Sequence, residues 1–156
     1  MPSHTVKHSE YSSKSNARTQ RRHSRLTQGV REPTKTHIVQ QFMNMLNTVK
    51  IYHWNTHSYP EHKATDELYS RLNEHIDKFV EVMLGKDGSR IRRIHSLPAL
   101  VGTENKSAME KKVASYKHFL IELNHALMPE RDSDLLNIRD EILGDMNQFT
   151  YLLTLK

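Results

Sequence analysis

The sequence predicts an all-α protein with four helices of similar length. Beyond Pro33, apolar residues recur at the 3.6-residue spacing of amphipathic helices in four stretches. No stretch alternates apolar and polar residues over the length that a half-buried strand requires. The predicted connections are short, long and short in chain order, and this pattern limits how the helices can be arranged.

Pro60 separates the first two predicted helices, because proline is tolerated in a first turn but not inside a helix. The first helix extends from about Thr34 to about His57, and the second from about Pro60 to Leu84. Their apolar stripes comprise Val39, Phe42, Leu46 and Val49, then Ala64, Leu68, Leu72, Ile76, Phe79 and Met83. His53 continues the first stripe, which makes it a candidate interior histidine.

A long connection, from Gly85 to Thr103, separates these helices from the next two. The third helix is predicted from Glu104 to Leu127, and Asp132 or Ser133 is predicted to cap a fourth that almost reaches Lys156. Their apolar positions are Met109, Val113, Tyr116, Leu120, Leu123 and Leu127, then Leu135, Ile138, Ile142, Met146, Phe149 and Leu153. Two antiparallel hairpins joined by one long crossover form the ferritin-like version of the four-helix bundle.

Residues 1–33 differ in composition from the remainder and are predicted to be a disordered, basic tail. They contain seven basic residues against two acidic ones, which accounts for the whole formal charge of +5. A flexible basic segment of this kind predicts non-specific, salt-sensitive binding to DNA. The candidate contacts are Lys7, Lys14, Arg18, Arg21, Arg22 and Arg25. A solubilising or expression-derived tail, or one that docks on an acidic protein, is the alternative.

Several classes of protein are disfavoured by composition. The chain has no cysteine, which rules out disulfides and thiolate zinc sites. No apolar run approaches the roughly 18 residues of a transmembrane helix, and the N-terminus lacks the apolar core of a signal peptide. We therefore expect no membrane association, and a location in the cytoplasm or at the nucleoid, with a virion as the alternative.

The candidate site consists of two histidines and three carboxylates within the first predicted hairpin. On the second helix, positions 62, 66, 69, 73, 77 and 81 form one drifting stripe. Four of those positions carry residues that can bind a metal, namely His62, Asp66, Asp77 and Glu81. His53 precedes them on the first helix. Imidazole nitrogen and carboxylate oxygen are suitable ligands for iron, zinc or manganese, so the stripe predicts a metal site. The alternative interpretation is an ordinary solvated helix face.

These residues resemble the ferroxidase signature of the Dps family, small ferritin-like proteins that protect DNA in starved bacteria. The similar pattern is His53-Trp54-Asn55, then His62-x3-Asp66, then ten residues, then Asp77-x3-Glu81. The close similarity covers residues 50–84. The link between the first two helices is shorter than is usual in the family.

The resemblance implies a role for each matching residue. His53, His62 and Asp66 would bind iron on one subunit, and Asp77 and Glu81 would complete the site from a two-fold-related subunit. Each site would hold one or two iron ions, and Trp54 would donate an electron during reduction of hydrogen peroxide. The resemblance further implies a twelve-subunit shell that stores ferric iron, with the basic tails binding DNA.

A non-enzymatic structural or packaging protein is the other hypothesis, in which the basic tail compacts nucleic acid or holds the protein in a virion. The shortened link and the concentration of charge in residues 1–33 favour it. A Glu122-x-x-His125 motif is assigned to a solvated face, because carboxylate-bridged di-iron bundles need two such motifs. The methionines Met43, Met45, Met83, Met109 and Met146 are predicted to fill the core.

Overall fold

The computed structural model describes residues 33–91, 94 and 105–155. Within these ranges the protein is entirely helical, which confirms the all-α prediction. The α-helices are α1 Lys35–Asn55, α2 Tyr59–Gly85, α3 Lys106–Glu122 and α4 Pro129–Leu152, with a 3₁₀ turn at Leu123–His125. In the described part of the chain, no helix combines the length and apolarity needed to cross a membrane.

Side-chain caps define where the first three helices begin. The Thr34 hydroxyl accepts from His37 N at 3.2 Å, and the Asn105 amide oxygen accepts from Ala108 N at 2.9 Å. Ser58 caps α2 in the same way. Each of these side chains satisfies a backbone N–H that has no partner inside its helix. The predicted beginnings of the first two helices therefore agree with the structure to within one residue.

The predicted beginning of the last helix is wrong. α4 begins at Pro129, about one turn before the predicted cap at Asp132 or Ser133. Asp132 does not cap α4, which has no side-chain cap hydrogen bond; its Oδ2 instead accepts from Met128 N, just before the helix, at 3.0 Å. Its backbone is non-helical (φ −122°, ψ 23°), so α4 has a kink after its first turn. The boundary was misplaced because Pro129 occupies the first helical position and Asp132 lies at the kink.

Contacts at the helix ends establish how the first three helices run. α1 and α2 form an antiparallel hairpin, since Lys35 at the beginning of α1 donates to Asp87 Oδ2 at 2.6 Å, just beyond the end of α2. α3 begins beside the hairpin link, where Lys106 Nζ lies 4.0 Å from Glu61 Oε1. α2 and α3 therefore run in the same direction.

The last helix runs antiparallel to α2 along its whole length. At one end, Lys86 Nζ donates to Asp134 Oδ1 at 3.0 Å. Towards the other end, Arg71 Nη1 donates to Gln148 Oε1 at 2.6 Å, and Arg71 also forms ion pairs with Glu67 and Asp145. The contacts of Lys86 with Asp134 and of Arg71 with Asp145 and Gln148 join α2 to α4, whereas the pair with Glu67 lies within α2.

One apolar core contains residues from all four helices and from the 3₁₀ turn. Phe42 is fully buried and packs edge-on against Phe79, with the ring centroids 5.0 Å apart, and against Phe119 at 6.2 Å. The predicted stripes are confirmed as buried or packed against this core. The core prediction is wrong for Met43, whose side chain is 37% exposed, because α1 turns that position outwards.

Two sequence predictions fall mainly outside the described residues. They are the tail, of which only Pro33 is described, and the connection predicted from Gly85 to Thr103. At the beginning of that connection, Gly88 adopts a positive φ of 67° in the turn after α2, as the Asp87-Gly88 pair suggests.

Candidate metal centre

The link between α1 and α2 places two histidines against each other. Only Thr56, His57 and Ser58 separate the helices. His53 lies in the last turn of α1, and His62 lies in the first turns of α2. Their rings stack with centroids 3.9 Å apart and an interplanar angle of 24°. The two helices therefore present one histidine pair at this end of the molecule.

Each histidine of the pair is held by the backbone of the other. His53 Nδ1 lies 3.1 Å from His62 O, and His62 Nδ1 lies 3.0 Å from His53 O. A carbonyl oxygen can only accept a hydrogen bond, so each Nδ1 must carry the hydrogen. In the neutral ring, Nε2 then holds a free lone pair. This is the tautomer of a metal-binding histidine whose second nitrogen donates to a carbonyl.

Thr65 supports the pair from the protein interior. Its side chain is fully buried, and its Oγ1 lies 3.2 Å from His53 Nδ1. The same hydroxyl donates to a backbone carbonyl one turn earlier, either Glu61 O at 2.8 Å or His62 O at 2.9 Å. Thr65 therefore accepts from His53, which strengthens the assignment of the hydrogen to Nδ1.

A second cluster, centred on Glu61, closes the hairpin beside the histidine pair. Glu61 Oε2 accepts from the Tyr52 hydroxyl at 2.6 Å and from Thr56 Oγ1 at 2.8 Å. Burial raises the pKa of the Tyr52 phenol above its ordinary value, and the hydrogen bond to Glu61 raises it further. The phenol thus remains a donor. Tyr52 immediately precedes His53, and Glu61 immediately precedes His62. The Tyr52–Glu61 hydrogen bond therefore lies beside the stacked histidines, where α1 and α2 meet.

Sequence reasoning missed Tyr52, Glu61 and Thr65. A signal was present, because Ser58-x-x-Glu61 matches the capping-box pattern at the beginning of a helix. In a capping box the glutamate returns to the backbone of the cap residue. Here its carboxylate binds Tyr52 and Thr56 instead, and Thr56 Oγ1 accepts from Ser58 N at 3.2 Å.

Asp66 is the carboxylate nearest to the pair. Its Oδ1 lies 4.0 Å from His53 Nε2, and its side chain is 60% exposed. The Nε2 edge of the His53 ring, which carries the free lone pair, faces this carboxylate. The structure therefore brings His53 into contact with His62 and leaves Asp66 4.0 Å from the outer nitrogen of His53.

Asp77 and Glu81 lie elsewhere on the same chain. Both are exposed on α2. At 1.5 Å of rise per residue, they lie about 16 Å and about 22 Å along the helix from Asp66. Within the described residues, no three His, Asp or Glu side chains converge into a group that could hold a metal ion. The candidate ligands of the described chain therefore do not converge on one point.

Trp54 occupies the outer surface of the hairpin. Its side chain is 69% exposed. Lys50 Nζ lies 5.8 Å from the Trp54 ring and 4.8 Å from the ring of Tyr69, within the range of cation–π attraction. Tyr69 belongs to the same stripe of α2 as His62, Asp66, Asp77 and Glu81. An exposed indole therefore flanks the stripe of candidate ligands.

The other acid–histidine combinations lie away from this centre. His125 Nε2 and Glu122 Oε2 are 4.0 Å apart on the surface, where the His125 side chain is 75% exposed. His75 Nδ1 lies 3.0 Å from Asp145 Oδ2 between α2 and α4. The candidate DNA-binding residues Lys7, Lys14, Arg18, Arg21, Arg22 and Arg25 lie outside the described residues.

The chain is similar to a family and to a phage protein. Residues 53–153 match the model of a family of unknown function, DUF5856. A 14.6 kDa protein of Enterobacteria phage T4, named as an uncharacterized protein of the mobD–ri intergenic region, is 25% identical over 120 residues. That match covers 74% of this chain and 88% of the phage protein. No solved structure matches the chain.

In its described residues, the protein is thus helical, with a histidine pair at the hairpin of α1 and α2. The family match covers more than half of the chain, and it begins at His53 itself. The chain therefore belongs to the DUF5856 family.

Proposed function

We propose that this protein is a Dps-like, ferritin-like iron-binding protein that oxidises Fe(II) with hydrogen peroxide and stores the ferric product. The helix directions support the ferritin-like arrangement, because α2 and α3 run the same way and need a crossover between them. Four helices around one core support the bundle. The ligand pattern of the sequence supports the iron chemistry.

The histidine pair is the observation that carries this proposal. His53 and His62 each donate through Nδ1 to a carbonyl, at 3.1 Å and 3.0 Å, which leaves Nε2 of both rings available for a cation. If the hydrogen of each ring were on Nε2 instead of Nδ1, neither Nε2 would have a lone pair for a cation. Imidazole nitrogen and carboxylate oxygen are ligands for first-row divalent metals, so Asp66 suits the same ion.

In the proposed assembly, a second copy completes the ligand set. Asp77 and Glu81 are too far along α2 to reach the same ion as His53, so they serve the site of a two-fold-related copy. The site would hold one or two Fe(II) ions as substrate. By resemblance to Dps proteins, we propose that such dimers assemble into a closed shell of twelve subunits. The basic tails of the shell would bind DNA.

The proposed reaction is electron transfer from iron to peroxide. Two Fe(II) ions lose one electron each, and one hydrogen peroxide molecule takes both electrons and two protons to form two water molecules. Carboxylates favour the ferric product because they are hard, anionic ligands, while the imidazoles retain Fe(II). Where only one iron is bound, Trp54 would supply the second electron, and its position beside the stripe fits that role.

Anaerobic titration with Fe(II), followed by a hydrogen peroxide pulse, tests the proposal. We expect saturable binding and rapid formation of the ferric absorbance at about one or two irons per subunit. The double variant His53→Ala/Asp77→Ala should oxidise iron no faster than protein-free buffer. Glu141→Ala, which removes an exposed acid from α4, is the matched control and should behave as the wild type.

Equal oxidation by the wild type and the double variant would refute the proposal. Circular dichroism of both variants at the assay temperature excludes unfolding as the cause of lost activity, since Asp77 is exposed but His53 is buried. The single variant Asp77→Ala provides the cleaner comparison, because substitutions at exposed positions change stability by about 0.5 kcal/mol or less.

A non-enzymatic packaging protein is the second candidate function. The relationship to a phage protein and the location of all the excess charge in residues 1–33 favour it. Deleting residues 1–33 should then abolish retention of DNA in a gel-shift assay, while His53→Ala should leave retention unchanged. Retention should also weaken steeply with salt, because each neutralised phosphate releases a counterion. Unchanged retention without the tail would remove this candidate.

A further inference from the structure

The turn after α2 contains the single Asp-Gly pair of the chain, Asp87-Gly88. The Asp87 side chain is 55% exposed. Gly88 has a positive φ of 67°, and no atom lies within 4 Å of the position that a Cβ would take. Because glycine has no side chain, nothing on residue 88 hinders the approach of its backbone nitrogen to the Asp87 carboxyl carbon.

Lys35, at the beginning of α1, holds the Asp87 carboxylate in place. Its Nζ donates to Asp87 Oδ2 at 2.6 Å, to Ser89 Oγ at 2.8 Å and to Met83 O at 3.2 Å. An ammonium group has three hydrogens to donate, and these three acceptors use all of them. The other carboxylate oxygen, Oδ1, accepts from Ser89 N at 3.0 Å. Both oxygens of the carboxylate are therefore hydrogen-bonded.

These contacts favour the ionised form of the Asp87 carboxyl group. The hydrogen bond from Lys35 is the main cause that holds the pKa of Asp87 well below its ordinary value, and the hydrogen bonds from Ser89 lower it further. The ionised form is the unreactive one, because an oxygen of the carboxyl group must leave as water when a backbone nitrogen attacks its carbon. The contacts thus oppose this attack by keeping the carboxylate ionised and by fixing its orientation.

We propose that Asp87 is a site of isoaspartate formation and that Lys35 protects it. In the first step, Gly88 N forms a bond to Asp87 Cγ. The amide proton and the carboxyl hydroxyl leave as water, and a five-membered succinimide ring results. In the second step, water breaks the bond between the ring nitrogen and the former main-chain carbonyl carbon of Asp87. The chain then continues through Cγ, and the mass is unchanged because one water molecule leaves and one enters.

Isoaspartate at position 87 would separate the beginning of α1 from the end of α2. The main chain gains one carbon atom, while the free carboxylate is attached directly to Cα and is shorter by one carbon atom. Its oxygens then lie too far back to replace both contacts, so the ion pair with Lys35 is lost. The inference goes beyond the iron chemistry, because this turn lies at the opposite end of α2 from His62.

Ageing of the full-length protein at physiological temperature and pH, followed by peptide mapping with electron-transfer fragmentation, tests the inference. Lys35→Met removes the charge and keeps a long side chain. The protonated fraction of an acid changes about tenfold for each pKa unit, so isoaspartate at residue 87 should accumulate several-fold faster in this variant than in the wild type. Lys35→Arg, which keeps the charge, should stay close to the wild type. Lys78→Met, at an exposed position within α2, is the matched control.

Two further variants identify the origin of the signal. Asp87→Ser has no carboxyl group at this position and should show no rearrangement there. Ser89→Ala removes one acceptor of Lys35 and should give a smaller increase than Lys35→Met. Circular dichroism before ageing shows that each variant is folded. General unfolding would raise isoaspartate at other positions as well, such as Asp132 in the pair Asp132-Ser133.

The outcomes test the site and its protection separately. Isoaspartate that is confined to residue 87 and forms faster without Lys35 supports both. Its absence from the wild type and from Lys35→Met after prolonged ageing overturns the modification site. Equal accumulation in these two proteins, or an increase spread over several aspartates, overturns the protecting role of Lys35.

Discussion

Replacing Phe79 with alanine should lower the free energy of unfolding by about 3–5 kcal/mol. Phe79 is fully buried in α2, and its ring packs edge-on against Phe42 with centroids 5.0 Å apart. The substitution removes the buried ring, loses the aromatic pair and leaves a cavity that the surrounding helices fill only partly. The large effect is expected because α2 contacts both α1 and α4.

Urea denaturation followed by circular dichroism measures this change. Lys78→Ala, at the adjacent exposed position of α2, is the control and should change the free energy of unfolding by about 0.5 kcal/mol or less. Phe79→Leu should be intermediate, since it keeps much of the apolar volume. A loss below about 1 kcal/mol for Phe79→Ala would mean that α2 does not pack on α1 as described.

This prediction also separates the two faces of α2. Phe79 lies between Asp77 and Glu81 in sequence, yet it is buried while both acids are exposed. Consecutive helical positions differ by about 100°, so one helix can present a core face and an exposed acidic face with little overlap. Variants of the acids can therefore test chemistry without disturbing the core.

The helices were predictable because each buries a stripe that repeats every 3.6 residues. The stripe of α2, from Leu68 to Met83, is buried as the sequence predicts. The beginning of α4 was not predictable in this way, since Pro129 is compatible with the end of one helix and with the first position of the next. Tertiary packing decides between them, and periodicity does not report it.

The meeting of His53 and His62 was predictable, but the geometry of their contact was not. The antiparallel hairpin implied by Pro60 places His53 near His62, and the structure confirms that they meet. The two hydrogen bonds from each imidazole Nδ1 to the carbonyl of the other histidine depend on the dihedral angles of residues 56–58, which no sequence pattern encodes. The roles of Thr65 and Tyr52 likewise appear only when α1 and α2 are packed together.

Replacing Glu61 with alanine should destabilise the hairpin by about 1–3 kcal/mol. Glu61 accepts hydrogen bonds from Tyr52 at 2.6 Å and from Thr56 at 2.8 Å. Tyr52 is 2% exposed, so its hydroxyl would lose its acceptor in a place that water cannot easily reach. Glu61→Gln should recover part of the loss, because the amide keeps an oxygen that can accept from one of the two hydroxyls.

A double-mutant cycle isolates the contact between Tyr52 and Glu61. Tyr52→Phe, Glu61→Ala and the combined variant should show a coupling free energy of about 1–3 kcal/mol, since removing both partners leaves neither one unsatisfied. Additive losses in urea denaturation would show instead that the two side chains act independently.

The same contact should influence the histidine pair. Tyr52 and Glu61 hold the segments that carry His53 and His62, so the loss of Glu61 lets the two rings separate. Supporting contacts of this kind typically change metal affinity by about 10–100-fold, and we expect Zn(II) to bind Glu61→Ala more weakly by that amount at a temperature where the variant is fully folded. Unchanged Zn(II) affinity in a folded Glu61→Ala protein would mean that Thr65 and the carbonyls of His53 and His62 position the pair without help from Glu61.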